Sequence, residues 1–279
     1  MSSLAGRVAL VTGAGRGLGR AHALALSRAG AAVVVNDVGR GVDGSGDAED
    51  VGAATAAELV AEGGTAVADT SDVSTFEGAQ AAVSAALDVF GRIDILVNNA
   101  GITGGGRLHG TDTRLIERIF AVHVTGTLGT IRAALPRMLE NGWGRIVNTV
   151  SEAALTAAPG GGVAYGAAKA AVWSATLSLA RDCEGTGVTV NGLSPGARTR
   201  MSAAAIDAGY SPRALDLDPS HVARVVAYLS SEQAADINGH VIHVAGPHIR
   251  EYSNVRRSRD TELVARLERE LGSGAPRQR

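Results

Sequence analysis

Short runs rich in valine and isoleucine alternate along this chain with longer segments rich in alanine and leucine, and that alternation limits the folds open to it. The runs are Arg7–Thr12, Ala32–Asp37, Thr65–Ala68, Ile93–Asn98, Arg145–Thr149, Gly187–Leu193 and His240–Val244. Most are apolar almost throughout rather than at every second residue, the pattern of strands buried on both faces of a parallel sheet. Helices are expected between them, at about Leu18–Ala29, Val51–Glu62, Thr75–Phe90, Thr113–Leu139, Ala164–Cys183 and Pro219–Ser230. Strand–helix alternation builds βαβ units. The expected architecture is therefore a single α/β domain, a doubly wound parallel sheet of about seven strands with helices on both faces. It is expected to span residues 1–247. Residues 248–279 then form a C-terminal extension, in which Leu263, Val264, Leu267 and Leu271 predict a short helix over Asp260–Leu271.

Composition narrows the function. The chain has 279 residues, and its 26 basic and 28 acidic side chains leave a formal charge of −2. That balance argues against a nucleic-acid or polybasic membrane partner. A single cysteine, Cys183, allows neither an internal disulfide nor a zinc site built on several thiolates, and no metal is expected. No apolar run approaches the ~20 residues that span a bilayer, and the first residues lack a secretory apolar stretch, so a soluble cytoplasmic protein is expected. More telling, all but one of the 26 basic residues are arginine, the exception being Lys169. A GC-rich genome favours arginine codons, which accounts for the missing lysines but not for the one that remains. A compact ammonium and a planar guanidinium are not interchangeable, so position 169 is a place to look for chemistry.

The first run leads directly into Gly13-Ala14-Gly15-Arg16-Gly17-Leu18-Gly19 and then a helix. Glycines there permit a tight turn and close backbone approach, so that a pyrophosphate can sit at the helix N-terminus. An ordinary turn is also glycine-rich; the position between first strand and first helix favours nucleotide binding. Asp37 closes the second run, 18 residues after Gly19. A carboxylate there would accept from the 2′- and 3′-hydroxyls of an adenosine ribose and repel a 2′-phosphate, which favours NAD over NADP. Arg16 pulls the other way, but less directly than a charge at the strand end. Two stretches break the alternation. Val38–Asp50 is rich in glycine and aspartate and reads as a mobile surface loop, while Pro195–Asp218 could cover a ligand at the carboxyl edge of the sheet.

Four separated motifs now coincide: Thr12-Gly13-xxx-Gly17-x-Gly19, Asn98-Asn99-Ala100-Gly101, Ser151 with Tyr165-xxx-Lys169, and Pro195-Gly196. In this order they resemble the short-chain dehydrogenase/reductase family, from about Leu4 to Gly246, and imply a Rossmann-type fold. Further details are similar to the (3R)-hydroxyacyl-CoA dehydrogenase domain of peroxisomal multifunctional enzymes. These are the sequence VVVNDVG at Val33–Gly39 with its extended loop, VHVTG at Val122–Gly126, and a tail beginning near His248–Tyr252.

The resemblance implies a role for each residue. Tyr165 would be the general acid/base that exchanges a proton with the substrate oxygen. A free phenol titrates at ~10, too high for a good base at neutral pH. Lys169, one helical turn on, is expected to favour the phenolate and to hold the nicotinamide ribose. Ser151 would hydrogen-bond the reacting oxygen. The family's serine usually precedes the tyrosine by 13 residues and here by 14; the Pro159-Gly160-Gly161-Gly162 stretch can absorb the extra residue, and the strand-end context selects Ser151 over Glu152. His123 replaces an asparagine that normally holds a water in a proton relay; an imidazole there either takes over that role or is a satisfied core histidine. Gly13, Arg16, Gly17, Leu18, Gly19, Asn98, Asn99, Ala100 and Gly101 would line the cofactor, and Asp72 with Val73 would contact adenine. Pro195 and Gly196 open the loop whose Thr199 would bind the carboxamide, one residue earlier than usual. Val244-Ala245-Gly246-Pro247 stands where the family commonly ends in VDGG.

Other signals lead elsewhere. Gly192-Leu193-Ser194-Pro195-Gly196 matches a hydrolase nucleophile elbow, but the oxyanion hole needs an N–H after the serine and Pro195 has none. His240 and His243 point to opposite faces of a strand and make a poor metal pair. Cys183 reads as a small buried residue, and Arg256-Arg257-Ser258-Arg259 as a solvated turn. The expectation is hydride transfer between NAD and a secondary alcohol or ketone, in a homodimer or homotetramer. A 3-hydroxyacyl thioester is the first substrate, a steroid or polyketide ketone the second. An NAD-binding regulatory subunit without turnover is a different class, kept open by the shifted Ser151 spacing and opposed by Tyr165 and Lys169.

Overall fold

Strand β1 (Val8–Thr12) is buried at every residue and lies inside the sheet, between β2 (Ala32–Asn36) and β4 (Ile95–Asn98). The computed structural model describes residues 3–46, 49–104, 106–155, 162–207 and 216–252. From β1 the chain passes through α1 (Gly17–Arg28), β2 and α2 (Val51–Ala61) to β3 (Ala66–Asp69) at one edge. Helix α3 (Phe76–Phe90) then carries it back across β1 to β4. The other half follows as β5 (Gly144–Thr149), β6 (Val188–Gly196) and β7 (Val241–Ala245), every pair from β3 to β7 being parallel. Reversing the winding direction between β1 and β4 leaves a crevice at the carboxyl ends of those strands, where ligands of such sheets bind.

Successive strand residues feed opposite layers, as a pleated strand requires. Ala9 and Val11 join Val33, Val35, Leu26 and Leu59 in one core; Val8 and Leu10 join Val34, Val83, Ile131 and Met138 in the other. This is why the runs carry apolar residues without alternation. Side-chain caps start several helices: Thr75 accepts from Gly78 N at 3.0 Å, and Asp218 accepts from Ser220 N at 2.8 Å to open α8 (Pro219–Leu229).

The structure departs from the sequence reading in four places. An eighth strand, β8 (His248–Glu251), pairs antiparallel with β7 and is exposed at every residue, so no apolar pattern announced it. The expected helix Thr113–Leu139 is α4 (Thr113–Phe120), a π turn (Ala121–Thr125) and α5 (Gly126–Glu140) in succession. A short helix, α7 (Ala203–Asp207), lies within the segment after β6. The glycine-rich loop after β2 is not a free surface loop: Thr103 N donates to Val42 O at 2.8 Å, Gly44 is buried, and a Cβ on Gly44 would lie 2.3 Å from Arg118 Nε.

The helix expected at Ala164–Cys183 is α6 (Gly162–Asp182), with Cys183 buried just beyond its end. The expected helix at Asp260–Leu271, the Arg256–Arg259 cluster, Pro159–Gly161 and part of the Pro195–Asp218 segment lie outside the described residues. Among the described residues no helix is long and apolar enough to cross a membrane, and no group of acidic, histidine or cysteine side chains could hold a metal.

Candidate active site

The crevice is a cavity of about 420 Å³ that runs from the glycine loop, past the ends of β2 and β4, to Ser151, Tyr165 and Lys169. Its first wall is held by two braces. Thr12 Oγ1 accepts from Asn99 N and Ala100 N, both at 3.0 Å, while Asn99 Nδ2 donates to Thr12 O at 3.0 Å and Gly13 O at 3.1 Å. The end of β1 and the turn after β4 are thereby locked together. Asp37 is the second brace: one carboxylate oxygen accepts from Gly15 N at 2.8 Å and the other from Gly39 N at 2.7 Å. Glycine is required here for space. A Cβ on Gly13, whose φ is +64°, would lie 2.8 Å from Ala100 Cα, and one on Gly19 would lie 2.0 Å from Gly13 O.

Most of the expected residues meet in this one cavity. Gly13, Arg16, Gly17, Leu18 and Gly19 line it with Asp37, Asp72, Val73, Asn99, Ala100 and Gly101, as do His123, Ser151, Tyr165, Lys169, Pro195 and Thr199. Arg16 is ion-paired with Glu49, from the loop after β2. Thr199 faces the glycine loop, 3.5 Å from where a Cβ on Gly17 would stand. Two expected residues lie elsewhere. Gly196 pairs with Ala245 in the sheet, outside the cavity wall. Asn98 is turned into the protein, donating to Asn148 Oδ1 at 2.9 Å and accepting from Thr130 Oγ1 at 2.6 Å, while Asn148 Nδ2 donates to Thr176 Oγ1 at 3.0 Å. Its amide is spent on joining α5 to α6 across β4 and β5.

Ser151 follows β5 and caps a 3-10 turn, Glu152–Ala154, its hydroxyl accepting from Ala153 N at 3.2 Å and hydrogen-bonding Tyr165. Tyr165 and Lys169 lie one turn apart on α6, as the spacing requires. The expected electrostatics are corrected in one respect. Burial raises the phenol of Tyr165 above its ordinary value, against the opposing effect of Ser151. Lys169 does not reverse this: only 3% exposed, it is lowered by burial to about 7, and its ammonium donates to Thr149 O at 2.6 Å. The Nζ lies 5.8 Å from the Tyr165 ring centre, so the cation is aimed at the end of β5.

His123 sits in the π turn, 1% exposed, with its ring edge-on to Tyr165 at 5.3 Å. Its Nε2 lies 2.7 Å from Ile102 O and 3.2 Å from Ile102 N, so the backbone of Ile102 can meet this nitrogen in either tautomer. Nδ1 is buried without a partner. Burial, with the charge of Lys169, lowers this histidine to about 3, so the ring is neutral. Gly101 makes room for it, since a Cβ there would lie 2.6 Å from His123 Cε1.

The sequence reading missed the contribution of the loop after β2. Val38, Arg40, Val42 and Gly44 line the cavity opposite Arg118 of α4, whose Nε is buried without a partner. The available signal was Arg118 itself, a charge one residue before Ile119, the buried residue of α4.

The family model for short chain dehydrogenases matches residues 7–208. The chain is 40% identical to a hydroxyacyl-CoA dehydrogenase, ChsB1, of Mycobacterium tuberculosis over 259 residues, covering 89% of this chain and 80% of that protein. It is 34% identical to the peroxisomal hydratase-dehydrogenase-epimerase of Neurospora crassa, over 97% of this chain but 29% of that longer protein. A crystal structure of a short chain dehydrogenase from Mycobacterium avium superimposes with a TM-score of 0.82 at 36% identity, covering 99% of this chain and 98% of the other.

Proposed function

The chain belongs to the short-chain dehydrogenase family and is an oxidoreductase acting on CH–OH groups, and from that premise we propose that it uses NAD to interconvert a 3-hydroxyacyl thioester and its ketone. The observation that carries the reading is the floor of the cavity. There Ser151 hydrogen-bonds Tyr165, and Lys169 stands one turn away beneath a glycine cradle.

The residues present fit a dinucleotide. Gly13, Gly17 and Gly19 line the cavity, a Cβ on Gly17 would meet only Thr199 at 3.5 Å, and the N-terminus of α1 opens toward the same space. Asp37 supports NAD over NADP, because its carboxylate stands in the wall beside the glycine loop, while the competing charge of Arg16 is taken up by Glu49. Asp72 and Val73 would flank the adenine, Lys169 would hold the nicotinamide ribose, and Thr199 the carboxamide. When bound, NAD supplies the acceptor or donor of the hydride.

The chain's own residues manage the proton. Burial keeps the Tyr165 phenol neutral at rest, and in reduction it would donate its proton to the ketone oxygen; in oxidation it must first lose that proton, and the phenolate then takes the proton of the alcohol. Ser151 orients that oxygen and stabilises its developing charge. His123, kept neutral beside the phenol, packs edge-on against its ring and would help to orient it rather than take its proton. The named activity of the Mycobacterium tuberculosis relative supports the thioester as substrate. Exposed Phe120 and Leu128 on α4 and α5, with Val163 on α6, support self-association as a homodimer or homotetramer, which we place in the cytoplasm.

The test follows nicotinamide absorbance with NAD or NADP and a panel of (3R)-hydroxyacyl-CoAs, hydroxysteroids and simple secondary alcohols, with Tyr165→Phe as control. Turnover of the thioesters with NAD, abolished in the variant, is expected. Turnover confined to steroids moves the assignment to a steroid dehydrogenase, and cofactor binding without any turnover favours a regulatory subunit.

A further inference from the structure

The turn that carries Ser151 is held from two sides. On one side α6 lies directly against it: a Cβ on Gly166 would stand 2.8 Å from Ala153 O. On the other, the phenol of Tyr252 donates to Glu152 Oε1 at 2.6 Å. Tyr252 is itself well anchored. Its N–H donates to Val241 O at 2.9 Å, continuing the ladder past β8, and its ring packs edge-on against Trp173 of α6 at 5.1 Å. His243 lies beside this bond, with Nδ1 3.4 Å from Ser194 Oγ and 3.9 Å from Glu152 Oε1. None of these four groups has a part in the proton transfer.

We propose that Tyr252 is a positioning residue for Ser151, acting through its hydrogen bond to the Glu152 carboxylate. The proposal rests on the reading of Ser151 as the residue that orients the reacting oxygen. Ser151 stands 14 residues before Tyr165, one more than the family spacing, so the helix that fixes the tyrosine does not by itself fix the serine. A bond from Glu152, the next residue, to Tyr252, itself tied to β7 just past β8, gives the serine's turn a second anchor. Orientation of this kind matters because displacement of a catalytic group by ~1 Å can cost up to ~100-fold in rate. Burial and the Glu152 carboxylate push the Tyr252 phenol up to about 12, so it remains a donor across the working range.

The test compares Tyr252→Phe, Glu152→Ala, Glu152→Gln and the Tyr252→Phe/Glu152→Ala double variant by steady-state kinetics and by amide hydrogen exchange over residues 150–155. Tyr252→Phe keeps the ring packing and removes only the donor. It and Glu152→Ala are each expected to lower kcat by about tenfold at unchanged KM for cofactor. Glu152→Gln, whose amide oxygen still accepts, should lose less than Glu152→Ala. The double variant should be no slower than Glu152→Ala alone, because that change already removes the acceptor of the Tyr252 phenol. Exchange at 153–155 should rise in Tyr252→Phe. A kcat within about twofold of wild type, an additive loss in the double variant, or a change confined to KM overturns the proposal. Faster exchange in a protein that turns over no substrate would retain the anchor and sink the dehydrogenase reading; unchanged exchange sinks the anchor whatever the activity.

Discussion

The ammonium of Lys169 donates to the carbonyl oxygen of Thr149 at 2.6 Å, so the cation of the site is held by the end of β5 rather than by the phenol of Tyr165. Desolvation acts on the two groups in opposite directions, raising the phenol and lowering the ammonium. The proton in the cofactor-free site therefore stays on the tyrosine.

That placement has a measurable cost. Lys169 titrates at about 7 when folded against 10.5 as a free side chain, so between those values the unfolded chain binds more protons and stability rises with pH. Lys169→Met should remove this rise: the variant is expected to be the more stable protein below pH 7 and to lose its advantage toward pH 10. Denaturant melts across that range measure it. Activity should move the other way, with Lys169→Arg losing about 100-fold or more in kcat/KM because a planar guanidinium does not fit a pocket shaped for an ammonium.

Asp37→Ser should lower the preference for NAD over NADP by about tenfold or more, read as the ratio of kcat/KM values. It should also weaken binding of both cofactors, since Gly15 N and Gly39 N lose their shared acceptor. An unchanged ratio would place the selectivity elsewhere in the cavity.

Asn98→Ala should destabilise the protein by about 2–3 kcal/mol, leaving Asn148 and Thr130 without their buried partner. The KM for cofactor should hardly change, because Asn98 is outside the cavity wall. A large KM effect at full stability would restore Asn98 to the cofactor site.

His22 is buried in α1 with both ring nitrogens unpartnered, and burial lowers it to about 3. The unfolded chain takes up this proton near pH 6.5, so stability is present above that value and is lost as the pH falls toward 3. The loss is on the order of 5 kcal/mol at the acid limit. His22→Leu is expected to raise the midpoint of thermal unfolding and to flatten its decline at low pH.

Much of the architecture was legible because the strands that build the crevice are buried on both faces, and burial writes itself as unbroken apolar runs such as Val8–Val11 and Val33–Val35. The glycine loop and the Tyr165–Lys169 pair were legible for a different reason: spacing alone fixes what lies on one turn. The direction of Asn98 was not legible, because a strand-end asparagine looks the same whether it faces the cavity or its neighbour. Only the register that sets it opposite Asn148 decides, and register is not local. The loop after β2 and strand β8 failed for want of apolar residues, since both are held by backbone hydrogen bonds to other parts of the chain. The electrostatics of Tyr165 depended on depth, which no spacing records.

The π turn at Ala121–Thr125 makes the long helix keep count of its residues. An ordinary helix turns by about 100° per residue, and a π turn holds one residue more than the helix around it needs. Removing any single residue there would let the segment relax into regular helix with its ladder intact. Everything before the cut would then be rotated by that angle against everything after it, and either Arg118 or Thr130 would leave its present neighbours. Exchange of segments between this chain and a relative must therefore keep the register on both sides of His123, and a crossover that drops one residue would fold well and align badly.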